Sequence, residues 1–233
     1  MIAPAYPTAF RALIALAALA GVTIECVQGS VPVVLSFFTI WTNIAVAVVY
    51  GTCAARTWRR RAPLPPLVTG GVLLFILITG LVYHLVLANP ASPFNVTDDI
   101  AKLTGARAVA NQLLHTVTPL GAVLEFALLT APRRFTPRLA ALWLAYPLVY
   151  VGFALVRGAL LAPGTPTRYT YPFIDAARYG YAQVAVNAVV LGLAFYSLAL
   201  LLVLADRLRP DLRPLSLRAA ENRISSPGEG PLK

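Results

Sequence analysis

The chain carries a small set of polar side chains inside long apolar stretches, and these are the first candidates for chemistry. A polar side chain in lipid is costly, so each one is a hypothesis for function by default. Threonine hydroxyls are weak nucleophiles that need an adjacent base, and a neutral histidine can supply that base. The set is Glu25, Thr39, Thr42, Asn43, His84, Asn111, His115, Thr118, Glu125, Arg157 and Asn187.

Depth along the predicted helices groups some of these side chains. At helical rise, Thr39 and His115 each lie about 12–13 Å from the predicted outer ends of their helices, so they can share one layer. Asn111, His115 and Thr118 follow an i, i+4, i+7 pattern on one helix face, and Thr39 and Asn43 are also four residues apart. We therefore expect a polar cluster in the outer half of a helix bundle.

Structural interpretations of the same residues remain open. A membrane threonine often bonds the carbonyl four residues earlier, and an asparagine often links two helices. Arg157 can extend to the surface, or it can pair with Glu25 or Asp175 at the outer mouth. Tyr169, Tyr171 and Phe173 suit an interfacial aromatic belt.

The elements that must position these residues are transmembrane helices. Hydrophobic residues make up 58% of the 233-residue chain and charged residues 12%, a composition that excludes disorder and disfavours a soluble domain. Six apolar runs of about 20–25 residues are each long enough to cross the hydrocarbon, and helices satisfy the backbone there. The runs are 8–28, 31–53, 65–88, 106–130, 137–161 and 181–205. We predict an all-α bundle of six transmembrane helices over residues 1–205.

The net charge of +10 indicates orientation rather than a nucleic-acid partner. Most of the basic residues lie between the second and third runs, between the fourth and fifth, and after residue 205. The positive-inside rule then places both termini in the cytoplasm. We expect residues 206–233, which are charged and rich in proline, to form a flexible cytoplasmic tail.

Several short motifs occur in a fairly specific order across the six runs. They are FFTIWTN at 37–43, LHTVTP at 114–119, YP at 146–147, RG at 157–158 and YPFID at 171–175. In this order and spacing, over roughly residues 9–205, the chain resembles the androgen-induced-gene (FAR-17a/AIG-like) family in a bacterial form. The resemblance implies a multi-pass protein of the bacterial cytoplasmic (inner) membrane.

The resemblance also implies an activity, that of an intramembrane hydrolase of lipid esters. Animal members cleave fatty acid esters of hydroxy fatty acids with a threonine nucleophile and a histidine, which match Thr39 and His115 here. The chain departs from the commoner bacterial pattern at Trp41-Thr42-Asn43, where Gln-Ser-Asn is expected, so Thr42 remains a rival hydroxyl. Lipid esters can reach such a site laterally from the outer leaflet.

The remaining polar residues are candidates for support of that pair. Asn43, Asn111 or Asn187 can orient the imidazole or donate to an oxyanion, and no acidic third member lies at this depth. Further polar support near the outer mouth comes from His84, Arg157 and Asp175. We expect no metal and no cofactor. The expected partners are membrane lipids and a lipid ester substrate, and protein partners stay open.

Three other classes of protein compete with this interpretation. A small-molecule or lipid transporter would also place polar residues in an outer vestibule, although the chain shows no internal repeat. A haem protein would use His84 and His115 as axial ligands, and their depths differ by about 7 Å at helical rise. A membrane protein without catalysis is the third alternative.

Overall fold

The computed structural model describes residues 5–215, 217 and 218, and within these residues the chain folds into helices without strands. The α-helices are α1 (Ala5–Gln28), α2 (Val31–Val34), α3 (Phe38–Trp58), α4 (Pro66–Val82), α5 (Thr97–Ala101), α6 (Gly105–Gln112), α7 (Thr118–Leu128), α8 (Pro137–Trp143), α9 (Ala145–Leu160) and α10 (Ala176–Leu208). The first π-turn (Tyr83–Leu87) continues α4, and the second π-turn (Leu113–Val117) joins α6 to α7. A 3₁₀ helix (Pro172–Ile174) precedes α10.

Five helical segments of the described residues are long and apolar enough to cross a membrane. They are Ala5–Gln28, Phe38–Trp58, Pro66–Leu87, Pro137–Leu160 and Ala176–Leu208. Large apolar side chains cover the outside of these segments, and Leu16, Leu148 and Leu193 are each about 60% exposed. Such a surface suits lipid and not water, so the prediction of an all-helical membrane protein is confirmed at this level.

The predicted second run, 31–53, is two helices rather than one. α2 ends after four residues, and α3 begins at Phe38 after an extended Phe37. The hydroxyl of Ser36 donates to the Val33 carbonyl at 2.6 Å, a local hydrogen bond that competes with continuation of a helix. Thr39 therefore lies in the first turn of α3, and not two turns inside a continuous helix.

The predicted fourth run, 106–130, is also interrupted, and it is not among the five long segments. Pro119 has no N–H to give the carbonyl of His115, four residues earlier. The chain widens at this point into the second π-turn, where Thr118 N–H bonds the Leu113 carbonyl five residues back. A membrane crossing by this run stays a prediction.

The helices pack around α1, α3 and α4. α1 lies along α3 and also contacts α6, the second π-turn and α7, while α4 packs against both α3 and α7. Gly80 makes the α4–α7 approach close: a Cβ at this position would lie 3.0 Å from Pro119 and 3.3 Å from the His115 carbonyl oxygen. The widened turn of the fourth run thus rests directly on α4.

The far end of α10 belongs to the helical bundle. The carboxylate of Asp206 is fully buried and accepts the backbone N–H groups of Arg134 at 2.6 Å and Phe135 at 2.8 Å. Arg209 donates to the Thr130 carbonyl at 2.9 Å. The packed domain therefore extends past the predicted boundary at residue 205 to at least residue 209, and residues 219–233 of the predicted tail lie outside the described residues.

Candidate functional site

Thr39 lies at the N-terminal end of α3 and is 7% exposed. In a first helical turn the backbone N–H groups have no intrahelical acceptor, and Thr39 N–H donates to the hydroxyl of Tyr171 at 3.3 Å. The indole of Trp41 holds the preceding break in place by donating to the Leu35 carbonyl at 2.6 Å. The Thr39 hydroxyl thereby sits at the positive end of the α3 dipole.

His115 lies in the second π-turn with both ring nitrogens engaged. Its Nε2 is 3.2 Å from Thr39 Oγ1, and its Nδ1 is 3.0 Å from the backbone carbonyl oxygen of Asn111. A carbonyl oxygen can only accept, so the proton of the neutral ring is placed on Nδ1 and Nε2 is left as an acceptor. The Thr39 hydroxyl then donates to Nε2, which is the direction that general-base activation needs.

The Asn111 carbonyl takes the orienting position that an acidic residue holds in a serine–histidine–aspartate triad. The sequence offers no carboxylate at this depth, and the structure supplies a main-chain oxygen in its place. The side chain of Asn111 has another partner, since its Nδ2 donates to the Tyr83 hydroxyl. Tyr83 in turn stacks on the His115 ring with centroids 4.2 Å apart.

Tyr171 approaches the Thr39 hydroxyl from the loop that follows α9. Its hydroxyl is 3.3 Å from Thr39 Oγ1. Desolvation by burial raises the pKa of Tyr171, so the phenol keeps its proton at neutral pH and can donate it in a hydrogen bond. The ring stacks on Phe173 and meets Phe37 edge to face. Tyr171 is therefore held as a neutral donor beside the candidate nucleophile.

Asn187 and Asp175 support the Tyr171 segment from α10. Asn187 Nδ2 donates to the Phe173 carbonyl at 2.9 Å. The Asp175 carboxylate caps α10 by accepting the N–H groups of Ala177 and Arg178. Neither side chain has a hydrogen bond to Thr39 or His115 among the described residues, so both act on the loop rather than on the pair.

Asn43 fastens α3 to the second π-turn from the buried side. Its Nδ2 donates to the carbonyls of Thr39 at 2.9 Å and Leu114 at 3.3 Å, and its Oδ1 accepts the Thr118 hydroxyl at 2.9 Å. Asn43 and Thr118 are fully buried. This amide holds the two helices in register, and it does not contact the imidazole.

The rival hydroxyl Thr42 is not the partner of His115. It is fully buried, and its Oγ1 has no hydrogen bond within the described part of the chain. The imidazole Nε2 of His115 is bonded to Thr39 instead. The geometry therefore favours Thr39 over Thr42 as the hydroxyl that a base can activate.

His84 and Arg157 lie apart from the pair. The exposed His84 bonds Thr116 Oγ1 through its Nε2 at 3.1 Å. Arg157 donates to the backbone carbonyls of Thr167 at 2.9 Å and Arg168 at 3.1 Å. It therefore holds the loop after α9 and does not pair with Glu25 or Asp175, as one of the sequence-based alternatives had it.

The geometry also bears on metal and haem chemistry. The described residues contain no group of three His, Cys, Asp or Glu side chains arranged to hold a metal ion. The Nε2 atoms of His84 and His115 point to hydroxyls of different threonines. Axial ligation of one haem by both rings would require each to give up that bond, so the arrangement disfavours the haem alternative.

A cavity of about 430 Å³ opens from the Thr39–His115 pair into the bundle. Its size lies in the range typical of ligand pockets, about 300–1,000 Å³. Thr39, His115 and Tyr171 lie on its wall together with many apolar side chains from α4, α9 and α10. The candidate site thus joins a small polar end to a long apolar chamber.

Sequence reasoning missed the roles of two tyrosines. Tyr171 stood as a candidate for an aromatic belt, although it occurs in the YPFID motif on which the resemblance rests. Tyr83 directly precedes His84 in an apolar run, and no spacing rule links it to His115. A contact between residues on separate helices has no signal in a single sequence.

The fold and the site define an all-helical membrane protein with a Thr–His pair at the end of an apolar cavity. Comparison of the chain with models of protein families, with curated proteins and with solved structures finds no match.

Proposed function

We propose that the protein is an intramembrane hydrolase of lipid esters, with Thr39 as nucleophile and His115 as general base. The observation that carries this proposal is the 3.2 Å contact between Thr39 Oγ1 and His115 Nε2 at the polar end of the apolar cavity. A nucleophile within hydrogen-bond reach of a base, itself oriented by a third group, is the diagnostic arrangement for covalent catalysis. A lipid ester matches the cavity, because it joins one polar bond to a long apolar chain.

The first half of the reaction forms an acyl-enzyme. Thr39 Oγ1 attacks the ester carbonyl carbon while its proton passes to His115 Nε2. The carbonyl oxygen becomes an oxyanion, which the Tyr171 hydroxyl and the Thr39 N–H can stabilise as hydrogen-bond donors. The intermediate collapses by breaking the bond to the alcohol oxygen, and that oxygen takes the proton from His115.

The second half releases the acid. A water molecule gives its proton to His115 Nε2 and attacks the acyl carbon. The bond to Thr39 Oγ1 then breaks, and the proton on His115 returns to that oxygen. The Asn111 carbonyl keeps Nδ1 protonated throughout and stabilises the imidazolium that forms in each half.

The wider setting belongs to the same proposal. The motifs at 37–43, 114–119 and 171–175 support membership of the androgen-induced-gene family in a bacterial form. Six crossings are part of the proposal, and the positive-inside rule then places both termini in the cytoplasm; the bacterial inner membrane is the proposed location. In this orientation the Thr39 end of the cavity faces the outer leaflet, from which a lipid ester enters.

Labelling of the purified protein by a lipophilic fluorophosphonate tests the proposal directly. We expect labelling of the wild type, loss of the label in Thr39→Ala, and partial retention in Thr39→Ser. Thr52→Val is the matched control, because Thr52 lies on the same helix and donates only to its own Val48 carbonyl. Thr42→Val decides between the two hydroxyls, and it should still be labelled.

Hydrolysis of a panel of lipid esters by the same variants completes the test. Fatty acid esters of hydroxy fatty acids, monoacylglycerols and phospholipids should be compared. If Thr39→Ala and His115→Ala both keep full hydrolysis in purified protein, the proposed function is wrong and the polar cluster only links helices.

A further inference from the structure

The apolar part of the cavity extends along α10. Its lining on that helix runs from Ala188 to Tyr196, a length of about 12 Å at helical rise. Leu144, Leu148 and Val151 contribute from α9 and the residue before it. The wall is mostly apolar, and Thr39, His115 and Tyr171 form its polar group; the Thr79 hydroxyl donates to the Phe75 carbonyl, and Tyr196 adds one further hydroxyl. A chamber with this polarity suits one linear apolar chain with a polar group at its end.

The cavity also opens to the outside of the bundle between α9 and α10. Leu148 on α9 and Val189 and Leu193 on α10 line the cavity, and all three are more than 60% exposed. These side chains therefore belong both to the chamber and to the lipid-facing surface. α9 and α10 approach each other at few points, whereas α10 packs more extensively on α8. An apolar ligand can pass between the two helices without crossing water.

Gly192 marks a place where the chamber has room for a side chain. It lines the cavity, and a Cβ built on it would meet no heavy atom within 4 Å. Gly152 on α9 is equally open, but it is exposed and does not line the cavity. The chain thus contains a matched pair of glycines, one inside the chamber and one outside it.

From these observations we infer that the cavity binds a single fatty acyl chain, which enters from the bilayer between α9 and α10. Its carboxyl or ester group lies at Thr39, and the open space beside Gly192 accommodates the distal part of the chain. The inference rests on the proposed function for the polar end, and it adds the route of entry between two named helices and a residue that sets chain length.

Photo-crosslinking with a palmitic acid analogue that carries a diazirine in its chain tests this inference in the full-length protein. The background is Thr39→Ala, so turnover plays no part. We expect crosslinks in 144–151 and 188–196 that excess unlabelled palmitate competes away. Gly192→Phe should lower palmitate crosslinking by about tenfold, since it displaces about two methylene groups from the cavity, and an eight-carbon analogue should still be captured. Gly152→Phe should match the parent.

Two results would overturn the inference. One is crosslinking spread over outward-facing residues such as Leu13 and Leu16 that excess palmitate does not reduce. The other is equal loss of crosslinking in Gly192→Phe and Gly152→Phe. Saturable crosslinks at the cavity together with absent ester hydrolysis would instead retain the acyl site and reject the hydrolase, so the two failures are distinguishable.

Discussion

Tyr83 stacks face to face on His115, with ring centroids 4.2 Å apart and planes 21° from parallel. The two rings come from the two π-turns, one on α4 and one in the fourth run. A π-turn inserts one extra residue and so changes which side chains face a neighbouring helix, which is one reason such turns occur at functional sites. The stacking, with the Asn111 carbonyl on Nδ1, fixes the plane of the imidazole that faces Thr39.

Loss of the imidazole should remove base catalysis. We expect His115→Ala to lower kcat for a lipid ester by about a thousandfold, within the range general bases contribute. Tyr83→Leu should lower kcat by about fivefold, because an aromatic pair is worth about 1 kcal/mol beyond its burial. Steady-state kinetics in detergent measures both. A Tyr83→Leu protein with wild-type kcat would show that the stacking does not orient the base.

Loss of the Tyr171 hydroxyl should weaken the oxyanion site. We expect Tyr171→Phe to lower kcat by about a hundredfold with little change in KM, since the hydroxyl acts on charge that develops only in the transition state. Tyr169→Phe is the matched control, because Tyr169 lies two residues away on the same loop and its hydroxyl is bonded to that of Tyr181 instead. Equal effects of the two substitutions on kcat would argue against a role for Tyr171 in stabilising the oxyanion.

A side chain at Gly80 should displace the second π-turn, which carries His115. A side chain there meets Pro119 and the His115 carbonyl, so Gly80→Val must push the second π-turn away from α4. A shift of about 1 Å can cost a hundredfold in rate, and we expect kcat to fall at least tenfold. Gly152→Val, which meets nothing within 4 Å, should keep wild-type kcat. Unchanged turnover in Gly80→Val would contradict the proposed dependence on this packing.

Removal of the Asn43 amide should destabilise the fold. Asn43→Ala removes the bonds that its amide makes to the Leu114 carbonyl and the Thr118 hydroxyl, and these two groups keep only the 3.2 Å bond to each other. We expect the free energy of unfolding to fall by about 2 kcal/mol, because two buried hydrogen bonds between the helices are lost at about 1 kcal/mol each. Titration with a denaturing detergent measures this change. Asn95→Ala, whose bonds to Ser92 and Thr97 lie on an exposed loop where water can replace them, should change it by no more than about 1 kcal/mol. Similar changes in the free energy of unfolding for both variants would contradict this stabilising role of Asn43.

The buried ion pair at the other end of the bundle should matter for stability and not for turnover. Arg11 and Glu125 pair at 2.7 Å with both side chains largely buried. Glu125→Ala leaves an unpaired buried cation and should cost about 3 kcal/mol. Asp99→Ala, which breaks the exposed pair with Lys102, should cost less than about 1 kcal/mol.

Measurement of kcat separates a role of Glu125 in stability from a role in the reaction. The folded fraction of Glu125→Ala should hydrolyse lipid ester with the wild-type kcat, because the pair does not contact Thr39 or His115. A selective loss of kcat, with unfolding unchanged, would place Glu125 in the reaction instead.

The sequence alone predicted the helical class and the residues worth testing. Apolar runs of about 20 residues in a chain with 12% charge require helices that satisfy their own backbone in lipid. The scarcity of polar groups in those runs singled out Thr39 and His115, and their depths allowed them to meet. These inferences depend on composition and periodicity, which are local properties that a single sequence carries.

Only the tertiary structure decided how the polar groups are paired. The break before α3 and the second π-turn depend on how Ser36, Phe37 and Pro119 compete with regular helix hydrogen bonding in their packed surroundings. The Asn111 carbonyl on Nδ1 is a main-chain contact that no residue type encodes. Tyr171 reaches Thr39 across 132 positions because folding brings the loop after α9 against the start of α3. Contacts between distant segments depend on packing geometry, and that geometry exists only in the folded bundle.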